Sequence, residues 1–198
     1  MNYAGSVLPQ MEAAEQGYGQ ILWLYGPDDH LTEVGTMNLF VVLKTEDGGQ
    51  CYLAPYLIIQ RIKLFKTVTE LVTPPLDNMI LPGVTRDSIL AIAREHASSE
   101  KHIPGLPHTL KVSERGITMK EVLKAKSEGR LLEIFGSGTA AIVSPVERIG
   151  YKGSDIDIPV GVNGIGPVTS ALLQQIVGRQ TGRIPSEWSI EVEKLGSS

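Results

Sequence analysis

Apolar and polar positions along the chain alternate between two periods, marking short strands separated by helices. "SVLPQMEAAEQG" (residues 6–17) reads as a short helix stopped by Gly17, and "QILWLYG" as a compact apolar strand ending at the turn "GPDD". "LTEVGTMNLFVVLK" is long enough for two strand pieces bent at Gly35, with "EDGG" as a turn after them. "ELVTPPLDNMILPG" is strand-like with two proline-marked corners. "TRDSILAIAREHASS" spaces Ile89, Leu90, Ile92 and Ala93 as one helical face, with Asp87 in its first turn. "SERGITMKEVLKAKSEG" predicts a strand end, a Thr118 cap and a helix ending before Gly129. "LLEIFGSGTAAIVSPVERIGYKG" predicts two strands around a Gly-rich turn, and "GPVTSALLQQIVGRQTG" a final amphipathic helix. Strands outnumber helices but alternate with them, so the predicted fold class is α+β (mixed α/β). No internal repeat or low-complexity linker interrupts the pattern.

One acid breaks it. Glu33 lies among Leu, Val, Met and Phe, where a carboxylate is costly unless a donor or a positive group meets it. The bulk composition narrows what that partner is. With 198 residues and 42% hydrophobic content the chain can bury one substantial core. Its formal charge of -4 argues against nucleic acid, which calls for a basic face. The densest basic run, "KVSERGITMKEVLKAKSEGR", is interleaved with Glu114, Glu121 and Glu128 and reads as a solvated helix face. A single cysteine, Cys51, excludes an internal disulfide and any multi-cysteine metal site. The four histidines, His30, His96, His102 and His108, show no helical ligand pair and read as surface residues, so no metal is expected. No apolar run reaches the length of a membrane-spanning helix.

Two segments have the chemistry to hold an anion. "ILPGVTRDSIL" places Gly83, Val84 and Thr85 directly before a helix, where free N–H groups and the positive helix end favour negative charge. "FGSGTAA" (residues 135–141) is a small-residue turn whose Gly136 and Gly138 permit close approach, with Ser137 and Thr139 as donors. Taken singly, the first also fits an ordinary loop with a Thr cap, and the second a tight β-turn. Neither is a dinucleotide fingerprint, and "GVNGIG" fails that test too.

Taken together, "NYAGS", "LWLYG", "TEVGTMNLF", "LVTPPLDNMILPGVTRDSIL", "KVSER", "FGSGTAAIVSPV" and "YKG" resemble, in order and spacing, the C-terminal half of branched-chain-amino-acid aminotransferases. The resemblance implies the large C-terminal domain of the D-amino-acid-aminotransferase-like fold (fold type IV), with pyridoxal 5'-phosphate as cofactor. It implies that Glu33 meets the cofactor's pyridine nitrogen and that Tyr3 meets its phenolic oxygen. Val84, Thr85 and Thr139 are implied as phosphate contacts. Thr139 and Ala140 are implied as the clamp on the substrate carboxylate, with Thr36 near the substrate side. The implied reaction moves an amino group from leucine, isoleucine or valine to 2-oxoglutarate, in a homodimer with no nucleic acid or membrane partner, in cytoplasm or mitochondrion. D-amino-acid aminotransferase and aminodeoxychorismate lyase share the fold, and "TEVGTMNLF" and "TPPLD" favour the branched-chain group.

The chain also departs from the pattern. The family's Schiff-base lysine lies five residues before the position of Tyr3 and would precede Met1, so no catalytic residue is assigned. The expectation is therefore residues 1–198 as an incomplete C-terminal domain, truncated at its N-terminus, that at most binds the cofactor or a partner subunit. Residues 50–68, "QCYLAPYLIIQRIKLFKTV", form an atypical apolar insertion, read either as a surface insertion or as unspliced sequence. Ala141 and Ser144 stand where some relatives carry a Cys-x-x-Cys redox pair, which excludes a thiol switch there.

Overall fold

The computed structural model describes residues 4–46, 67–99 and 102–190. After a 3-10 turn (Ala4–Ser6), helix α1 (Val7–Glu15) ends as predicted before Gly17, whose φ of +82° suits glycine. Strands β1 (Leu22–Tyr25), β2 (His30–Val34) and β3 (Met37–Glu46) follow. At Gly35 the chain does more than bend. With φ at +57° it reverses completely, pairing Val34 with Met37 and Glu33 with Asn38.

Strand β3 organises the rest. One of its edges is shared in succession by β2, at residues 37–38, and by β4 (Thr67–Thr73), at residues 41–46. The Thr73 hydroxyl donates to the Leu39 carbonyl at 2.7 Å, so the backbone acceptor between those two pairings is met. The other edge takes β6 (Leu131–Gly138), which carries β7 (Ile142–Pro145) beyond it. β5 (Leu110–Glu114) lies parallel to β4, and the crossover between them is helix α2 (Val84–Ser98).

Alternation along β3 builds two cores. Leu39, Val41 and Leu43 face helix α3 (Met119–Ser127) through Met119, Val122 and Ala125. Phe40 and Val42 face α2 and the last helix, α4 (Pro167–Gln180), through Ile89, Ile92, Ala93, Val168 and Leu172. Phe40 and Phe135 are paired across β3 and β6 with stacked rings, centroids 5.0 Å apart. Thr118 caps α3 as the sequence predicts, accepting from Glu121 N at 3.2 Å.

Several expectations change. β4 stops at Thr73, because Pro74 and Pro75 cannot continue a ladder, and residues 74–83 are irregular. The segment after the Gly-rich turn adds a second hairpin, β8 (Arg148–Tyr151) and β9 (Ser154–Asp157), turning at Lys152-Gly153. His96 is fully buried in α2: its Nδ1 accepts from Ile103 N and its Nε2 lies 2.9 Å from the Pro107 carbonyl. A donor on one ring nitrogen and an acceptor at the other assign the neutral imidazole with hydrogen on Nε2. The basic run is solvated along α3, but Arg115 is drawn in between Glu121 and the buried Glu70. Residues 47–66, holding all of "EDGG" but Glu46 and most of the expected insertion, lie outside the described residues, and Glu46 ends β3 while Thr67 and Val68 already belong to β4.

Candidate functional site

Glu33 lies half-buried beside Asn38, its partner across the β2–β3 hairpin. Its Oε1 accepts from the Leu81 backbone N–H at 3.0 Å and from Asn38 Nδ2 at 3.3 Å. Among the described residues Oε2 accepts no bond. Leu81 belongs to the irregular segment that the two prolines create, which brings the turn before α2 directly over the hairpin. Asn38 Nδ2 also donates to the Leu81 carbonyl at 2.8 Å, tying the two pieces from both sides.

That segment delivers the start of α2. Its cap residue, Gly83, is extended and no side chain among the described residues caps the helix, so first-turn N–H groups remain for another acceptor. Glycine is required here by space, since a β-carbon would overlap Asn38 Oδ1. The Thr85 hydroxyl reaches across to the Gly138 carbonyl at 3.2 Å, joining the helix start to the Gly-rich end of β6. Gly136 and Gly138 pack on Met37, where side chains would crowd it. Ser137 lies between them, paired with Asn38, and its buried hydroxyl has no partner among the described residues. Behind the helix start, Arg86 holds the Pro74 carbonyl and Glu114, whose carboxyl sits below the usual range because Arg94 and Arg86 donate to it. The two anion-type segments read from the sequence are thus one place, beside the acid that breaks the apolar run.

The amino-transferase class IV model matches residues 1–149. The chain belongs to the class IV aminotransferases. It is 48% identical over 191 residues to the mitochondrial branched-chain-amino-acid aminotransferase of Schizosaccharomyces pombe, covering 96% of this chain and 38% of that protein. The crystal structure of the Escherichia coli branched-chain amino acid aminotransferase superposes with a TM-score of 0.59 at 29% identity, covering 94% of this chain and 46% of that one. The Thermobaculum terrenum branched-chain amino acid aminotransferase, solved in its PLP form, gives 0.54 at 23% identity, covering 91% and 44%, and shows the shared fold. The chain thus spans under half the length of these relatives.

Within this class IV domain the other predicted residues are distributed unevenly. Val84 is 83% exposed at the helix start, and Thr139 and Ala140 are exposed in the β6–β7 turn. Thr36 lies at the hairpin tip, lining a groove of about 430 Å³ with Gln10, Met11 and Trp23, apart from Glu33. Tyr3 lies outside the described residues. A groove of about 810 Å³ runs between α1 and the α3-side face of the sheet and holds none of the predicted residues. Placement of donors, and not volume, marks this site. Sequence reasoning named Ser137 as a donor but passed over Asn38, although Asn38 carries the same signal as Glu33, a polar side chain inside an apolar strand. Glu133 sends the same signal for another reason. It is buried and caps α4, accepting from Val168 N and Thr169 N at 2.9 Å each.

Proposed function

We propose that this chain is the cofactor-holding part of a pyridoxal-phosphate-dependent branched-chain-amino-acid aminotransferase. One observation carries the reading: an acid with one free oxygen is fixed, through Leu81 and Asn38, to an uncapped helix start. The residues fit the cofactor. A cradle without room for a β-carbon at Gly83, a helix start with no side-chain cap and the unbonded Glu33 Oε2 offer a phosphate site and a ring-nitrogen partner in one piece.

Val84 and Thr85, with the Thr139 hydroxyl, would hold the phosphate, stabilised by first-turn N–H groups and the helix dipole. Thr139 and Ala140 would offer backbone N–H groups to a substrate carboxylate, with Thr36 toward the substrate and Tyr3 at the phenolic oxygen. Bound pyridoxal phosphate supplies the electron sink for bond cleavage at an amino acid's α-carbon. Glu33 would keep a proton on the ring nitrogen, because a carboxylate beside such an atom favours its charged form. Identity of 48% to a branched-chain enzyme supports leucine, isoleucine and valine as amino donors.

A second reading is that these 198 residues bind the cofactor or a complete subunit without turnover. It is favoured by one observation. Among the described residues no lysine is hydrogen-bonded to Glu33, Thr85 or Thr139, whereas Lys111 and Lys152 are engaged by Glu70 and Asp29. The test is to titrate the chain with pyridoxine 5'-phosphate, which has no aldehyde to label surface lysines, and to assay leucine–2-oxoglutarate exchange with pyridoxal phosphate present. Saturable binding weakened roughly tenfold or more by Glu33→Ala is expected, the loss of one charge-assisted hydrogen bond. Absence of binding removes the cofactor reading, and turnover by the chain alone removes the second reading.

A further inference from the structure

We propose that Asn38 is a positioning residue that acts through Glu33, fixing the free carboxylate oxygen relative to the start of α2; this rests on the cofactor reading above. Asn38 is 5% exposed, between Met37 and Leu39 in a strand buried on both faces. A buried primary amide is costly unless its polar atoms are met. Both atoms facing its nitrogen, Leu81 O at 2.8 Å and Glu33 Oε1 at 3.3 Å, are acceptors, so the amide orientation is decided by its neighbours.

The three bonds form a closed ring. Asn38 donates to the Leu81 carbonyl and to Glu33, and the Leu81 N–H donates to the same Glu33 oxygen. A glutamate's terminal torsion is broad when nothing holds it. Here two donors converge on Oε1, and Oε2 is left as the single oxygen for a donor from outside. The opposite end of the same amide touches Gly83, where a β-carbon would overlap Oδ1. One buried side chain therefore sets both the rotation of the acid and its offset from the helix that would take the phosphate. Asn38 itself is buried and need not touch a ligand to act.

The experiment compares two ligands on the full chain: pyridoxine 5'-phosphate and its analogue with the ring nitrogen replaced by CH. Inorganic phosphate serves as control. The unmodified chain is expected to prefer the nitrogen-bearing ligand roughly tenfold or more. In Asn38→Ala and in the near-isosteric Asn38→Asp that ratio is expected to fall to within about threefold of unity, while phosphate affinity changes less than about twofold. A residue that merely supports the fold would weaken both ligands equally and leave the ratio standing, and that result in either folded variant overturns the proposal. Should both variants unfold, Gly83→Ala displaces the amide without removing it. A reduced ratio there supports the proposal, and an unchanged one overturns it. Equal binding of the two ligands by the unmodified chain is a different result, because it removes the ring-nitrogen role of Glu33 and the proposal with it.

Discussion

Helices α2 and α4 pack on the same face of the sheet and begin alike, each after an extended glycine, Gly83 or Gly166, which has no side chain of its own to cap the helix. Their first turns are then treated in opposite ways. At α4 the buried Glu133 rises from β6 and fills the turn: Oε1 accepts from Val168 N, and Oε2 from Thr169 N and the Thr169 hydroxyl. At α2 no carboxylate among the described residues enters. The nearby acid, Glu33, turns instead to Leu81 and Asn38 and keeps one oxygen unbonded among the described residues. A helix start sealed by its own anion is a structural joint. One left without an anion among the described residues, next to a half-engaged acid, is where the proposed cofactor, with its anion and its ring-nitrogen donor, would fit.

Removing the seal is expected to have the largest effect. Glu133→Ala leaves two buried N–H groups and a hydroxyl without an acceptor and opens a void, for a loss of about 3–5 kcal/mol in urea unfolding. Glu133→Gln, which keeps one acceptor, should lose less. A loss below about 1 kcal/mol for Glu133→Ala would break the contrast between the two helices.

Glu70 supplies a reference carboxylate held by side chains instead of a helix. Burial opposes its charge, but donation from Arg115, Ser113 and Lys111 outweighs this and brings its pKa from 4.5 to about 2. Because the folded value lies below the unfolded one, its contribution is complete above about pH 4.5 and is lost as pH falls toward 2. The full amount is on the order of 3 kcal/mol. Urea midpoints measured from pH 5 down to pH 2.5 should fall, and Glu70→Gln should flatten that slope. An unchanged slope would mean that the acid sensitivity resides elsewhere.

Smaller effects are expected at the open helix. Inorganic phosphate at tenfold its dissociation constant should stabilise the chain by about 1.4 kcal/mol, read as a rise in Tm. Thr85→Val should remove most of that rise. Thr169→Val, at the sealed helix, should lower basal stability and leave the phosphate response intact. If the two variants behave alike, the distinction between the helices fails. Glu33→Ala should change stability least, by under about 1 kcal/mol, since its side chain is only half-buried, Leu81 is exposed and the buried Asn38 amide keeps its bond to the Leu81 carbonyl.

Patterning was enough for the local elements whose signals are local. Gly17, Gly35, Thr118 and Gly129 stop or cap elements through their own backbone and side-chain chemistry, so α1, the break at Gly35 and α3 were readable in place, while the full reversal at Gly35 was not. The reading failed where long-range partners decide. His96 resembled a surface histidine because its acceptor and donor, Pro107 and Ile103, come from a loop that only folding brings over it. Arg115 resembled one charge in a solvated run until β4 set Glu70 beside it. The β8–β9 hairpin was missed because its alternation spans only four residues per strand, too short for a period to show.

By itself the sequence determined that Glu33 needs a partner, that two small-residue segments can receive an anion, and which family pattern they belong to. It also determined the alternation along β3 that splits the core in two. Tertiary structure decided that the two segments are one place, because the Thr85–Gly138 contact links positions 53 residues apart. It decided, too, which polar residue in an apolar run is structural and which is available. Glu133 and Glu33 carry the same sequence signal, an acid among apolar neighbours. Only the arrival of α4 over one and of Leu81 beside the other makes the first a buried cap and leaves the second an open oxygen. Hydrogen-bond satisfaction of a buried carboxylate is a property of the assembled neighbourhood, and no local pattern encodes it.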